Sequence, residues 1–280
     1  MKEQETIFLT VKDHSVSKET FQLVLNTDLE MLETKPQPSE DALPAYYQSE
    51  DYISHTDAKR SLFEKLYHLI KTYALVKKVK LIYSFKTKEK ELLDIGAGTG
   101  DFLKQAQSMG WSVCGVEPNA SAIENAKKKG IDLYSTLEVL PQKKYDVITL
   151  WHVLEHLPNL DEQIAKITYL LKPEGVIVIA VPNYNSYDAN YYKEFWAAYD
   201  VPRHLWHFSK TSINKLFSKH AFRLVDVRPL IFDSFYVSLL SEKYKTGKMN
   251  FISAFYVGLR SNVKAMRSKN YSSLIYVLKK

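Results

Sequence analysis

Leu92-Leu93-Asp94-Ile95-Gly96-Ala97-Gly98-Thr99-Gly100-Asp101-Phe102-Leu103 is the stretch whose reading decides the fold. An apolar run carrying one acid enters a loop with glycine at every second position. A helical pattern, 101–109, leaves it. The order is strand, tight loop, helix. Glycine permits positive φ and lets a ligand approach where a Cβ would otherwise stand. The start of the helix offers unpaired N–H groups and a partial positive charge. The stretch therefore suits a small molecule with an anionic end.

Downstream of residue 91 the pattern alternates. Strands are expected at 91–95, 111–116, 131–134, 145–150 and 176–181, and helices at 101–109, 120–129 and 160–171. Asn159 with Glu162 forms a capping box for the last helix. Such βαβ units imply an α/β fold with a parallel sheet covered on both faces and right-handed crossovers. After Pro182-Asn183 the period stops. Residues 184–208 read as a long loop rich in Tyr, Trp, His and Asp. Ser209 caps a short helix carrying Ile213, Leu216 and Phe217, and a strand follows at 222–228. Residues 232–267 are aromatic, basic and mostly helical, and 271–278 suit a final edge strand.

Upstream, the runs at 7–11 and 21–25 predict a β-hairpin. Residues 46–55 read either as a lid over a ligand or as a linker. Thr56-Asp57 opens a long helix reaching about Lys80, with Leu62, Phe63, Leu66, Leu69, Ile70, Tyr73 and Val76 as its core stripe. The expected organisation is a hairpin and lid extension, 1–55, followed by one domain, 56–280. That domain has a ligand-binding core, 91–183, and two insertions covering the substrate, 184–208 and 232–267.

The net charge of +6 is concentrated in residues 71–90 and in the tail from Lys243. Such clusters attract phosphates, nucleic acid or an anionic membrane, although a solvated helix face is the commoner explanation. The single cysteine, Cys114, excludes an internal disulfide and sits in an apolar run as a buried thiol. The charged start shows no secretory pattern, and no segment reaches the ~18 apolar residues a membrane span requires. A cytoplasmic protein without a transmembrane segment is expected.

In an open parallel sheet, ligands bind beyond the carboxyl ends of the strands. The second strand ends in Val116-Glu117-Pro118-Asn119, where the acid can accept both hydroxyls of a ribose. A dinucleotide fingerprint, G-x-G-x-x-G, counted from Gly96 would place its last glycine at residue 101, which is Asp101. Asp94 before the loop suits a cationic amine and would repel a pyrophosphate. An amino-acid end joined to a ribose satisfies both acids, and S-adenosylmethionine is that molecule.

At this point residues 91–183 resemble the core of the class I, Rossmann-like S-adenosylmethionine-dependent methyltransferases. The matching motifs run in order. They are Leu93-Asp94-Ile95-Gly96-Ala97-Gly98-Thr99-Gly100, Gly115-Val116-Glu117-Pro118, Tyr145-Asp146-Val147-Ile148 with Leu154-Glu155-His156-Leu157-Pro158, and Leu171-Lys172-Pro173-Glu174-Gly175. The Glu-His-Leu-Pro element is similar to the quinone-biosynthesis O-methyltransferase branch. The resemblance implies a seven-stranded sheet with an antiparallel last strand. It also implies cofactor contacts: the backbone of Gly96, Ala97, Gly98 and Gly100 facing the methionine part, Asp94 near its amino group, and Glu117 on the ribose. Pro118 or Asn119 would lie beside the adenine and Leu137 over it, with Leu150, Trp151 and His152 lining the methyl-transfer point.

Methyl transfer requires alignment of nucleophile and methyl carbon, and an oxygen nucleophile also requires a base. His152, His204 and His207 are the candidates; His156, at the start of a helix, reads as structural. Asp200-Val201-Pro202-Arg203-His204-Leu205-Trp206-His207-Phe208 follows the fifth strand and should overhang the substrate entrance. Arg203 and Trp206 in this segment, with Tyr52 and His55 in the first lid, are the substrate-binding candidates. No metal is expected, because Glu155 and His156 are adjacent and no further ligand is evident. The leading expectation is methylation of a small molecule at oxygen. RNA or protein methylation fits the basic segments but lacks an RNA-binding module. A non-catalytic cofactor-binding module remains an alternative, and the glycine spacing disfavours an NAD-dependent oxidoreductase. No nucleic-acid partner is expected; peripheral membrane contact, the oligomeric state and the acceptor stay open.

Overall fold

The computed structural model describes residues 6–39, 41–47 and 62–280. Its centre is the strand β4, Glu91–Ile95, flanked on both sides by parallel neighbours. Leu92, Leu93, Asp94 and Ile95 are all buried, as expected of a strand covered on both faces. Among the described residues the main sheet has six strands. They are β4, β5 (Ser112–Val116), β6 (Tyr145–Trp151), β7 (Leu171–Pro182), β9 (Arg223–Pro229) and β10 (Ser273–Lys279), in the order β5-β4-β6-β7-β10-β9. Only β10 runs antiparallel to its neighbours.

Two expectations about this sheet need correcting. The predicted strand at 131–134 contributes a single bridge, Tyr134 against Val116, so its seventh position is vestigial. Only the Glu117 N–H to Tyr134 carbonyl and Tyr134 N–H to Gly115 carbonyl bonds hold it there. The last strand is not at the edge either. β10 inserts between β7 and β9, and its residues Ser273 to Leu278 are buried on both faces.

Helices covering the sheet include α1 (Leu62–Tyr83), α2 (Asp101–Ser108), α3 (Ala120–Lys128) and α4 (Leu160–Leu170). Val79, Leu81 and Ile82 of α1 are buried, but Leu69 and Tyr73 are exposed, so the expected core stripe fails in its middle. Asn159 precedes α4 in the left-handed region and makes no side-chain cap; Glu162 pairs instead with Lys166 at 3.0 Å. No described helix is long and apolar enough to cross a membrane.

The predicted hairpin is larger than expected. β1 (Ile7–Lys12), β2 (Thr20–Asn26) and β3 (Met31–Lys35) form an antiparallel sheet, and β8 (Trp206–His207) joins its edge. Residues 184–208 are therefore not an overhanging loop. They contain α5 (Tyr187–Tyr192) and two short 3-10 turns, and they bury Tyr192, Trp196 and Tyr199 against the N-terminal sheet. After α6 (Lys210–Ser218), capped by Ser209 as predicted, β9 leads to an antiparallel pair, α7 (Asp233–Thr246) and α8 (Phe251–Ser268). These two pack closely: a Cβ on Gly258 would stand 2.8 Å from Phe235.

Candidate functional site

The site lies at the carboxyl ends of β4, β5 and β6, where strand order reverses. Register sets Asp94 opposite Gly115 and Thr149. The Thr149 hydroxyl donates to Asp94 Oδ1 at 2.5 Å. Burial dominates the acid and lifts its pKa to about 7, against the Thr149 bond and the charge of Lys78, while Glu117 adds to the rise. Gly96 has φ +70°, and a Cβ there would meet Val153 at 2.3 Å. At Gly98, φ +54°, a Cβ would meet nothing within 4 Å, so the middle of the loop opens onto free space.

Glu117 closes the other side. Its Oε2 accepts the Gly98 N–H at 2.9 Å and its Oε1 the Asn119 N–H at 3.0 Å. Asn119 caps α3 by accepting the Ala122 N–H at 3.0 Å. Asp101 occupies the place a dinucleotide motif gives to glycine. It is pinned by Lys71 of α1 at 2.6 Å and by Lys129 at 2.5 Å, which ties the long helix to the loop.

Sequence reasoning missed two residues here. Lys78 of α1 lies with its ammonium 4.3 Å from the Trp151 ring centroid. Burial depresses its pKa, and the charges of Asp94 and Asp233 pull it back up. The signal was present, because Lys78 falls on the helical spacing of Leu75 and Ile82, a face otherwise apolar. Asp233, the first residue of α7, reaches His152 Nε2 at 3.1 Å, while Glu155 Oε1 stands 3.4 Å from Nδ1. Burial opposes protonation of His152, but the two carboxylates outweigh it and raise its pKa to about 10. His152 is thus cationic at neutral pH and does not fit the expected role of base.

Other expected site residues are engaged in the fold. The Arg203 guanidinium donates to Asp200 through Nε (3.0 Å), to Asp13 (3.2 Å), to Ser15 and to the Tyr46 carbonyl (2.9 Å), so it is not available to a substrate anion. Trp206 donates its indole N–H to the Leu157 carbonyl at 2.8 Å. His207 Nε2 lies 3.0 Å from the Thr34 hydroxyl. That hydroxyl already donates to the His204 carbonyl, so Nε2 donates. Burial holds His207 neutral within the fold, away from any base role. Leu150 is fully buried in the sheet core, so its side chain does not line the cleft. Leu137 packs half-exposed against the core. Tyr52 and His55 lie outside the described residues.

A second constellation was not foreseen. Glu155, His156 and His204 bring one ligand atom each within 4.8 Å of one another. The Glu155 carboxylate is buried, and among the described residues its ion-pair contact is His152 Nδ1 at 3.4 Å, with no shorter hydrogen bond to either oxygen. His156 Nδ1 stands 3.0 Å from the Arg203 carbonyl and His204 Nδ1 2.9 Å from the Ala198 carbonyl. Carbonyls only accept, so both Nδ1 atoms donate, and among the described residues both Nε2 atoms are left to face a proton or a divalent cation. Adjacent Glu155 and His156 lacked a third partner in the sequence because His204 comes from a distant segment.

Comparison with known proteins bears on the family and the fold. Residues 63–227 match the family described as "Methyltransferase domain". Among curated relatives, ubiquinone biosynthesis O-methyltransferase of Rickettsia typhi is 29% identical over 143 residues, covering 47% of this chain and 57% of that protein. The Bradyrhizobium protein of the same name is 33% identical over 102 residues, covering 34% and 40%. The matched region thus spans about half the length of these relatives or less. Among solved structures, magnesium protoporphyrin IX methyltransferase from Synechocystis with bound SAH superposes with a TM-score of 0.57 at 13% identity, covering 86% of this chain and 100% of that one. A plantazolicin methyltransferase in complex with SAH gives 0.53 at 16% identity, covering 84% and 92%.

Proposed function

The chain belongs to the methyltransferase domain family, and from that premise we propose that it transfers a methyl group from S-adenosylmethionine to an oxygen of a small-molecule acceptor. The observation that carries the cofactor reading is the pair of acids around an open glycine loop, Asp94 on one side and Glu117 on the Gly98 N–H on the other. Their chemistry fits an amino-acid end and a ribose. Asp94, costly to ionise alone, gains from an adjacent ammonium. Lys78, over the Trp151 ring and within the field of Asp94, would meet the cofactor's carboxylate. Glu117, now on the Gly98 and Asn119 N–H groups, would hold the ribose hydroxyls. The curated relatives' names, O-methyltransferases, support oxygen as the nucleophile.

When bound, S-adenosylmethionine supplies a methyl group on a sulfonium, an electrophile that needs no further activation. The chain's part is to orient. His152, held between Asp233 and Glu155, fixes the start of α7 over the end of β6. Trp151, edge-on to Phe102 at 5.5 Å and beneath Lys78, forms an aromatic wall. His204 turns Nδ1 to the Ala198 carbonyl, which leaves Nε2 as its remaining ring nitrogen near Glu155, and we assign it the acceptor's proton.

Calorimetry with S-adenosylhomocysteine tests the cofactor reading. Binding is expected, and Glu117→Ala should weaken it by about ten- to a hundredfold, the value of a charge-assisted bond. Stabilisation by NAD without binding of S-adenosylhomocysteine would overturn it.

A further inference from the structure

Helix α8 presents three faces. Successive residues are rotated by about 100°, so Ala254, Val257, Gly258, Ser261 and Ala265 share the buried one. Ile252, Phe255, Leu259, Val263 and Met266 share a second, and they are 45–86% exposed. Arg260, Lys264 and Arg267 form an exposed strip between the two. An amphipathic helix on a water-soluble surface shows polar residues where this one shows aliphatic and aromatic ones. The apolar surface continues beyond the helix: Phe235 stacks on Phe255 with centroids 5.5 Å apart, and Ile231 and Phe232 before α7 are also exposed.

The electrostatics select the occupant. From Lys243 to Lys280 the chain carries nine Lys and Arg residues and no acid. Beside the basic strip an open cleft of about 480 Å³ is lined by Lys264, Arg267, Tyr187, Asn185, Asn190 and Asn270, with no carboxylate. This is a lining suited to an anionic phosphate. A second copy packed on the same face would set these cations against their own symmetry mates. An interfacial helix has an apolar face for acyl chains and Lys/Arg for phosphates.

We propose that α8 docks the protein onto the surface of a bilayer rich in anionic lipid. Ile252, Phe255, Leu259, Val263 and Met266 enter the acyl boundary, and Arg260, Lys264 and Arg267 meet the phosphates. The test is flotation of the full chain with vesicles of phosphatidylglycerol and phosphatidylcholine, and with vesicles of phosphatidylcholine alone. Binding is expected to the anionic vesicles and to fall at least about tenfold on the neutral ones or at raised salt. Phe255→Glu with Leu259→Glu, and separately Arg260→Gln with Lys264→Gln and Arg267→Gln, should each reduce it comparably. These side chains are exposed, so melting temperature and the response to S-adenosylhomocysteine should not change. Absence of binding to anionic vesicles, or equal binding by all variants, overturns the proposal. So does a dimer that Phe255→Glu dissolves without any vesicle binding. Vesicle binding is read independently of the cofactor, so failure of one reading leaves the other standing.

Discussion

The carboxyl of Asp94 has a pKa lifted to about 7, chiefly by burial, and its proposed contact with the cofactor's ammonium would give cofactor binding a pH dependence. Its folded pKa lies above the ordinary value of 3.8. The ligand-free chain therefore keeps the proton between those limits while the unfolded chain loses it, and stability falls as pH rises through that window. An ammonium beside the acid acts the other way, because it binds the ionised form. Affinity for S-adenosylhomocysteine, measured by calorimetry, is expected to drop about tenfold per pH unit below that pKa and to level above it. Asp94→Asn should flatten the profile and weaken binding at the alkaline end. A flat profile in the native chain would remove Asp94 from the ammonium site.

At the scale of elements, α7 is fastened to the end of β6 by its first residue. His152 takes up φ 58°, and its imidazolium is shared by Asp233 and Glu155. A histidine whose folded pKa is raised contributes stability that is complete below its ordinary 6.5 and is lost as pH rises through about 10. Asp233→Asn should lower the melting temperature below pH ~6.5, and the gap to the native chain should close toward pH ~10. A gap independent of pH would assign the loss to packing. Elements such as β4, the glycine loop and β5 were legible because their signals are local: a buried run, glycines at fixed spacing, an acid at a strand end. β10 was misplaced at the edge although Ser273-Leu274-Ile275-Tyr276-Val277-Leu278 shows no polar face, which is itself the mark of an interior strand. Arg203 and His207 were misread for another reason. Their partners, Asp13 and Thr34, lie 170 or more residues away, and no spacing rule encodes that pairing.

The whole molecule is held together at that same junction. The N-terminal sheet and the main domain meet where β3 pairs with β8 and where Arg203 bridges Asp13, Ser15 and Asp200. Burial disfavours ionisation of Asp13, but the N–H groups of Ser17, Ser15 and Val16, together with Arg203, hold its carboxyl well below the usual range. Both carboxylates therefore remain charged and depend on the guanidinium. Removing one partner of a buried pair costs more than the pair itself contributes, because the other charge is left stranded. Arg203→Met is expected to lower the unfolding free energy by about 3–5 kcal/mol, read from the denaturant midpoint. Asp13→Asn in the Arg203→Met background should cost less than it does alone, since the charge it removes has already lost its partner. The proposed cofactor cleft lies at β4, β5 and β6, so S-adenosylhomocysteine affinity of the folded Arg203→Met chain should stay near native. If instead stability were native and affinity lost, Arg203 would belong to the ligand site and not to the junction between the two sheets.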